Sequence, residues 1–152
     1  MSLAIDTIFV RALSQDIDLM TMIADEYARP RLWGTAAPMP DVDFENVPAP
    51  YIIITFDSLT NDGQTKDNSY EGDTDQVNIS IDVVAKTLND LHSMTQRVRD
   101  VIFDYMMNNE TDVLDYQFTA SAIQYDGDKP AYWQVLSYQC DTNREETYGE
   151  DN

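Results

Sequence analysis

His92 is the only histidine of the chain, and histidine is the usual general base near neutral pH. It stands among residues of helical spacing with no acidic or nucleophilic partner at a motif distance. The expectation is a helix-surface or packing residue. Two groups of carboxylates have the chemistry to share a proton or to hold calcium through hard oxygen ligands: Asp126 with Asp128, and Glu71 with Asp73 and Asp75. From Asp67, Gly72 falls where a calcium loop needs its glycine. Asn78, however, stands where that loop needs a bidentate glutamate, and the next strand begins too early. A solvated acidic loop accounts for the run. Asp126-Gly127-Asp128 is explained by turn chemistry, since aspartate and glycine tolerate the angles of a tight turn. There is no G-x-S-x-G, P-loop or G-x-G-x-x-G in the sequence, so the nucleophile elbow and the phosphate cradles are missing. The chain is expected to be no enzyme and to hold no cofactor or metal.

The other reactive side chains are equally quiet. Cys140 is the single cysteine, which rules out an intrachain disulfide and fits a reducing compartment or a small core position. Arg97 and Arg99 lie two apart on a helix and point to different sides, so they form no basic patch. Met20 with Met22 and Met106 with Met107 suit an adaptable binding surface or, at helical spacing, a core.

Charge sets a sharper limit. The chain has 28 acidic and 9 basic side chains, for a net charge of −19. Binding to a nucleic-acid backbone depends on Lys and Arg displacing counterions, so sequence-specific nucleic-acid binding is not expected. Anionic membranes are disfavoured for the same reason. An acidic surface also serves plain solubility. No window reaches the ~18–20 apolar residues of a membrane span. Met1-Ser2-Leu3-Ala4-Ile5-Asp6 lacks the basic start and apolar run of a signal peptide. The expectation is a protein soluble and intracellular when made.

The elements that would carry these residues can be read from periodicity. At 152 residues, with 43% hydrophobic and 24% charged side chains, one globular domain is expected. Ile5, Ile8, Phe9, Ala12 and Leu13 have helical spacing, with Ser2 placed to cap the start. Leu19, Met22, Ile23 and Tyr27 suggest a second short helix, stopped by Pro30. Arg31-Leu32-Trp33 is too short to assign. Five of the six prolines fall between Pro30 and Pro50, marking an extended connection. Tyr51-Ile52-Ile53-Ile54-Thr55-Phe56-Asp57 reads as a strand covered on both faces. Ser58 to Asp75 reads as a long polar hairpin loop.

The clearest pattern runs from Gln76 to Met107. Val77, Ile79, Ile81 and Val83 point one way along a strand, while Asn78, Ser80 and Asp82 point the other. Leu88, Leu91, Thr95, Val98, Val101, Ile102 and Tyr105 then make the apolar stripe of a helix, and Thr87 with Asp90 approximates a capping box. Tyr116–Tyr125 and Ala131–Asp141 read as two strands joined by Asp126-Gly127-Asp128-Lys129-Pro130. Residues 1–142 therefore form a single α+β domain, an antiparallel sheet of about four strands with helices packed on one face. Residues 143–152 form an acidic flexible tail. The second sheet face must be solvated or covered by another copy. Tyr51, Tyr132, Trp133 and Tyr138 supply more aromatic surface than a one-sided core needs, so they are candidates for an oligomer interface.

This arrangement resembles the tail terminator, or tail-completion, proteins of long-tailed bacteriophages over roughly residues 3–142. The likeness lies in the helix pair, Ala28-Arg29-Pro30-Arg31-Leu32-Trp33-Gly34, the proline-rich link, Ala49-Pro50-Tyr51-Ile52-Ile53-Ile54 and the Val77–Met107 strand–helix block. The resemblance implies a virion protein at the head–tail junction, made in the bacterial host cytoplasm. It would act as a ring, commonly a homo-hexamer, that ends polymerisation of the tail tube protein and meets the head–tail connector protein. Genome DNA passes through such a ring, and like charge on its wall would keep phosphates from sticking. Asp57, Asp62, Asp67, Glu71, Asp73 and Asp75 are the candidate acids of that lumen or its rim.

Two other readings remain open on the residues alone. One is a neighbouring head–tail connector or minor tail protein, of similar size and symmetry. The other, from a different class, is an acidic adaptor that binds a basic protein partner with strong salt sensitivity.

Overall fold

The computed structural model describes residues 5–25, 27–34, 49–61, 74–108, 113–127 and 131–143. Helix α1 spans Ile5–Ser14 and buries Phe9, Ala12 and Leu13, as their spacing requires. Helix α2 spans Ile17–Met22. Its start is fixed by Asp16, whose carboxylate accepts from the Leu19 N–H at 2.9 Å and so satisfies a donor with no partner inside the helix.

The second helix is shorter than its apolar pattern suggests, because Asp25 turns the chain. The Asp25 carboxylate accepts from the backbone N–H of Tyr27 at 2.8 Å and of Arg29 at 2.9 Å. Ala28 enters the left-handed region at φ 63°, and Ala24 bridges Pro30. The reversal is complete before Pro30 can act as a stop.

Strands β1 (Leu32–Gly34), β2 (Tyr51–Asn61) and β3 (Thr74–Ala85) follow. Then come α3 (Leu88–Asn108), β4 (Val113–Ala120), β5 (Gln124–Asp126) and β6 (Ala131–Asn143). The fold is α+β, as expected, but the sheet has six strands rather than about four. Its order is β1-β2-β3-β6-β4, with β5 also paired to β6. It is mixed, because β1 lies parallel to β2 while all other pairs are antiparallel. Of the unassigned Arg31-Leu32-Trp33, Leu32 and Trp33 join Gly34 to supply the parallel edge.

The stretch expected as one strand over 116–125 is two. Ser121 interrupts it by entering the ladder in two ways. Its N–H donates to the Val135 carbonyl at 2.9 Å, and its Oγ accepts from the Val135 N–H at 3.0 Å. The Gln134 side-chain amide donates to the Ser121 carbonyl at 2.9 Å. Pairing resumes with Gln124 opposite Trp133.

The helices cover one face. Ile52, Ile54, Val77, Ile79, Ile81, Val83, Leu136, Tyr138 and Cys140 of the sheet share one core with Phe9, Leu13, Leu19, Ile23, Leu91, Met94, Val98 and Ile102 of the helices and the α2 C-cap. Helix α3 begins where Thr87 Oγ1 accepts from the Asp90 N–H at 3.1 Å, which is the hydroxyl half of the expected cap. Leu88, read as part of its stripe, stays largely exposed at the first turn.

Two details fix how α1 and α2 sit. Gly34 lies so near α1 that a Cβ built on it would come 2.9 Å from Val10 Cγ2. Arg97 of α3 reaches back to Asp16, with Nε–Oδ2 at 2.8 Å and Nη2–Oδ1 at 2.5 Å. Arg99, two residues on, instead places its guanidinium 4.4 Å from the centre of the Phe118 ring. The Ala49–Pro50 peptide is cis. No helix among the described residues is long and apolar enough to cross a membrane.

Candidate functional site

Strand alternation leaves the second sheet face without a helix among the described residues, and the strand register builds it row by row. Trp33, Ile53, Asp82 and Val135 form one row across β1, β2, β3 and β6. Tyr51, Val84 and Trp133 form the next row on one side, and Thr55, Ser80, Ser137 and Thr119 the next on the other. Beyond that come Ser58, Asn78, Gln139 and Gln117.

The face is therefore divided. Its apolar end is a small cluster of Ala49, Val84 and Ala131 with Tyr51 and Trp133 packed against it. The Trp33 ring tilts on Tyr51 with centroids 5.9 Å apart. Its polar end carries Asp57, which sits at the register shift between Phe56 and Ser58 and accepts a hydrogen bond from Ser80 Oγ, and in the row beyond Gln139 the pair Asp141 and Asp115 beside Gln76. Asn78 Nδ2 donates to Ser58 Oγ at 2.9 Å. A shallow depression here is lined by Asp57, Asn78, Gln117, Thr119, Ser137 and Gln139.

Asp82 lies where the two ends meet. It is half-buried between Ile53 and Val135, and among the described residues it makes no ion pair. Burial raises its pKa above the usual carboxylate range, and the charge of Asp57 pushes the same way. The Tyr51 hydroxyl is raised too, first by burial and then by the charge of Asp82.

The residues proposed from sequence divide between the two faces. Tyr51 and Trp133 lie on the open face. Tyr132 and Tyr138 lie on the helix side, because residues of even number on β6 point there. Tyr132 tilts against Tyr125, with centroids 4.7 Å apart. Tyr138 is 3% exposed and sits among Phe9, Tyr116 and Phe118 at centroid distances of 5.2, 5.6 and 5.1 Å. It is a core residue of the protomer, not an exposed interface aromatic. Asp57 is exposed, whereas Asp75 is 7% exposed on β3 opposite Asn61 and Thr142. Asp62, Asp67, Glu71 and Asp73 lie outside the described residues.

The groups considered for catalysis stay apart. His92 is exposed on α3 and Cys140 is buried. Burial pushes the Cys140 thiol up to about 12, with the charge of Asp141 adding to it. Among the described residues no three His, Cys, Asp or Glu side chains gather where a metal ion could sit. Asp126 is on β5, and Asp128 lies outside the described residues. Strand alternation puts Asp82 on the polar side of β3. Its apolar neighbours Trp33, Ile53 and Val135 come from three other strands, and only the register brings them together.

No protein-family profile matches this sequence, and no curated protein does. The fold is similar to that of a chain in a solved structure titled "Virion of native gene transfer agent (GTA) particle". That similarity has a TM-score of 0.56 at 10% identity and spans 90% of this chain and 92% of the other.

Proposed function

We propose that this chain is a structural protein of a phage-like virion, and within that class a tail terminator. It forms a ring on the end of the tail tube, stops the tube from growing and meets the connector on the head. The observation that carries this reading is the length of the likeness to the virion chain. It runs over nine-tenths of both chains, so the two correspond as whole domains and not through a shared motif. The divided open face is consistent with it: a sheet with one side bare among the described residues, and partly apolar, suits assembly better than turnover of a small molecule. The role is not catalytic.

The acidic balance has a use in this reading. A wall of like charge lets phosphates slide, where Lys and Arg would hold them. Asp57, Asp62, Asp67, Glu71 and Asp73 are the acids we assign to the lumen or its rim; Asp75, 7% exposed within β3, is left out of that wall. Neutralising Asp62, Asp67, Glu71 and Asp73 together should impair DNA delivery; normal delivery would overturn the assignment.

The test of the role is native mass by light scattering, followed by electron microscopy, with and without purified tail tubes. Rings of about six copies, free or seated on tube ends, are expected from the closed symmetry of such assemblies. A protein that remains monomeric and is not captured by tubes overturns the terminator reading. Capture by the head-side connector alone would make it a connector protein.

A further inference from the structure

Arg99, Phe103 and Met107 follow one another at four-residue intervals along α3, which sets them on one ridge of the helix. Phe103 is 51% and Met107 68% exposed. Beside the ridge, a depression of about 150 Å³ separates α3 from β4, with Gln96, Arg99, Asp100 and Phe103 on the helix side and Tyr116 and Phe118 on the strand side. One groove thus joins exposed aromatic surface to a cation.

The guanidinium of Arg99 is held over Phe118, 4.4 Å from the ring centre, a stacking that keeps its plane in place. Its side chain is exposed, and among the described residues it forms no ion pair. The one acid of the lining, Asp100, accepts instead from Gln96 Nε2 at 2.9 Å. The other described cations are committed or remote. Arg97 holds Asp16 and Arg29 holds Asp25. Arg11, on α1, and Arg31, just before β1, belong to the β1–β2 side of the sheet, away from β4. Lys86 follows β3 at the end of the ladder opposite Asn143.

The chain leaves the sheet close to this groove. Strand β6 ends at Asn143, one residue beyond Thr142, which faces Val113 at the start of β4. Phe118 faces Tyr138, five positions before Asn143 and so about 17 Å back along the strand. The remaining residues, Arg144-Glu145-Glu146-Thr147-Tyr148-Gly149-Glu150-Asp151-Asn152, can span up to about 30 Å. They hold four acids, one base and a single aromatic side chain, the complement of a stacked arginine beside exposed Phe103.

We propose that residues 144–152 fold back into the groove of their own copy, with Tyr148 against Phe103 and Phe118 and the carboxylates of Glu145 and Glu146 at Arg99. The short tether favours the same copy, because it holds the segment at an effective concentration in the millimolar range. Docked there, the segment screens Phe103 from water and from other proteins. The proposal is independent of the ring reading, since the purified protein alone tests it.

The test is amide hydrogen exchange on the full chain, with thermal unfolding as the check on folding. In the wild type, the amides of residues 144–152 should exchange roughly tenfold or more slowly than in a free peptide of the same sequence. Tyr148→Ser, which lies outside the described fold, and Arg99→Glu should each bring them to the peptide rate. Arg99→Glu combined with Glu145→Arg and Glu146→Arg should restore much of the protection, which a merely unfolded groove would not allow. Wild-type exchange at the peptide rate overturns the proposal. Protection that appears only as protein concentration rises overturns it too, because the occupant is then the segment of a neighbouring copy.

Discussion

Arg97 grips both oxygens of Asp16 from 81 positions away in the chain. Asp16 is also the N-cap of α2, so one carboxylate caps a helix and ties it to α3. Asp16→Asn should keep part of the cap and lose the ion pair, while Arg97→Ala should lose only the latter. A cost of about 1 kcal/mol is expected for Asp16→Asn, the scale of a weakened cap, and a smaller one for Arg97→Ala, since solvent screens the exposed guanidinium.

The pH dependence of that pair has a definite sign. The hydrogen bond from Arg97 is the leading cause that holds the Asp16 pKa below its ordinary value, and burial opposes it. A carboxyl with a lowered folded-state pKa stabilises the fold above the ordinary value of about 3.9 and loses that contribution as pH falls through the folded value. Urea midpoints of wild type and Asp16→Asn should therefore differ at pH 7 and converge only as pH falls below the ordinary carboxylate value and through the lowered folded-state one.

Asp82 should behave in the opposite sense. Its folded-state pKa is raised, with burial the main cause, so the ionised form costs stability at neutral pH and protonation on acidification removes that cost. Asp82→Asn should raise the urea midpoint of the protomer at pH 7, with the advantage shrinking as pH falls through the raised value. A lower midpoint at pH 7 would contradict this account.

Gly34 marks the tightest approach of α1 to the sheet. A methyl group there would come 2.9 Å from Val10 Cγ2, and valine is stiff at χ1. Gly34→Ala should cost about 1–3 kcal/mol, as overpacking does. Adding Val10→Ala should recover part of the loss, which a double-mutant cycle in urea would measure.

Cys140 is fully buried and its thiol is pushed up to about 12, chiefly by burial. Since the thiolate is the reacting form, the native protein should react with a disulfide reagent only as fast as it unfolds. Addition of denaturant should release one equivalent of reactive thiol. Rapid labelling of the native chain would show that β6 opens locally.

Much of the scaffold was legible because it rests on local repetition. Val77, Ile79, Ile81 and Val83 alternate without a break, and Leu91, Val98 and Ile102 recur at the helical interval. What escaped depends on single polar side chains or distant partners. Asp25 ends α2 by binding backbone donors, and Ser121 divides β4 from β5 by substituting in the ladder. Leu32-Trp33-Gly34 is too short for any period to show and becomes a strand only through β2. The open face was legible by half. Alternation placed Asp82 there, but its neighbours on β1, β2 and β6 depend on a register that periodicity does not encode. The same limit put Tyr132 and Tyr138 in one group with Tyr51 and Trp133, although they point to opposite faces.

The two outer strands of the sheet limit how the protein can go wrong. An exposed edge is a template on which another chain can add a strand, and repeated addition makes fibres. Here one described edge, β1, has only three residues. The other, β4, shifts register between Val113 and Asp115, an irregularity of the kind that blunts an edge. Both outer strands are thus short or irregular, the forms that discourage backbone-to-backbone growth. Such edges favour contacts between copies that run through side chains, in geometries that can close and stop.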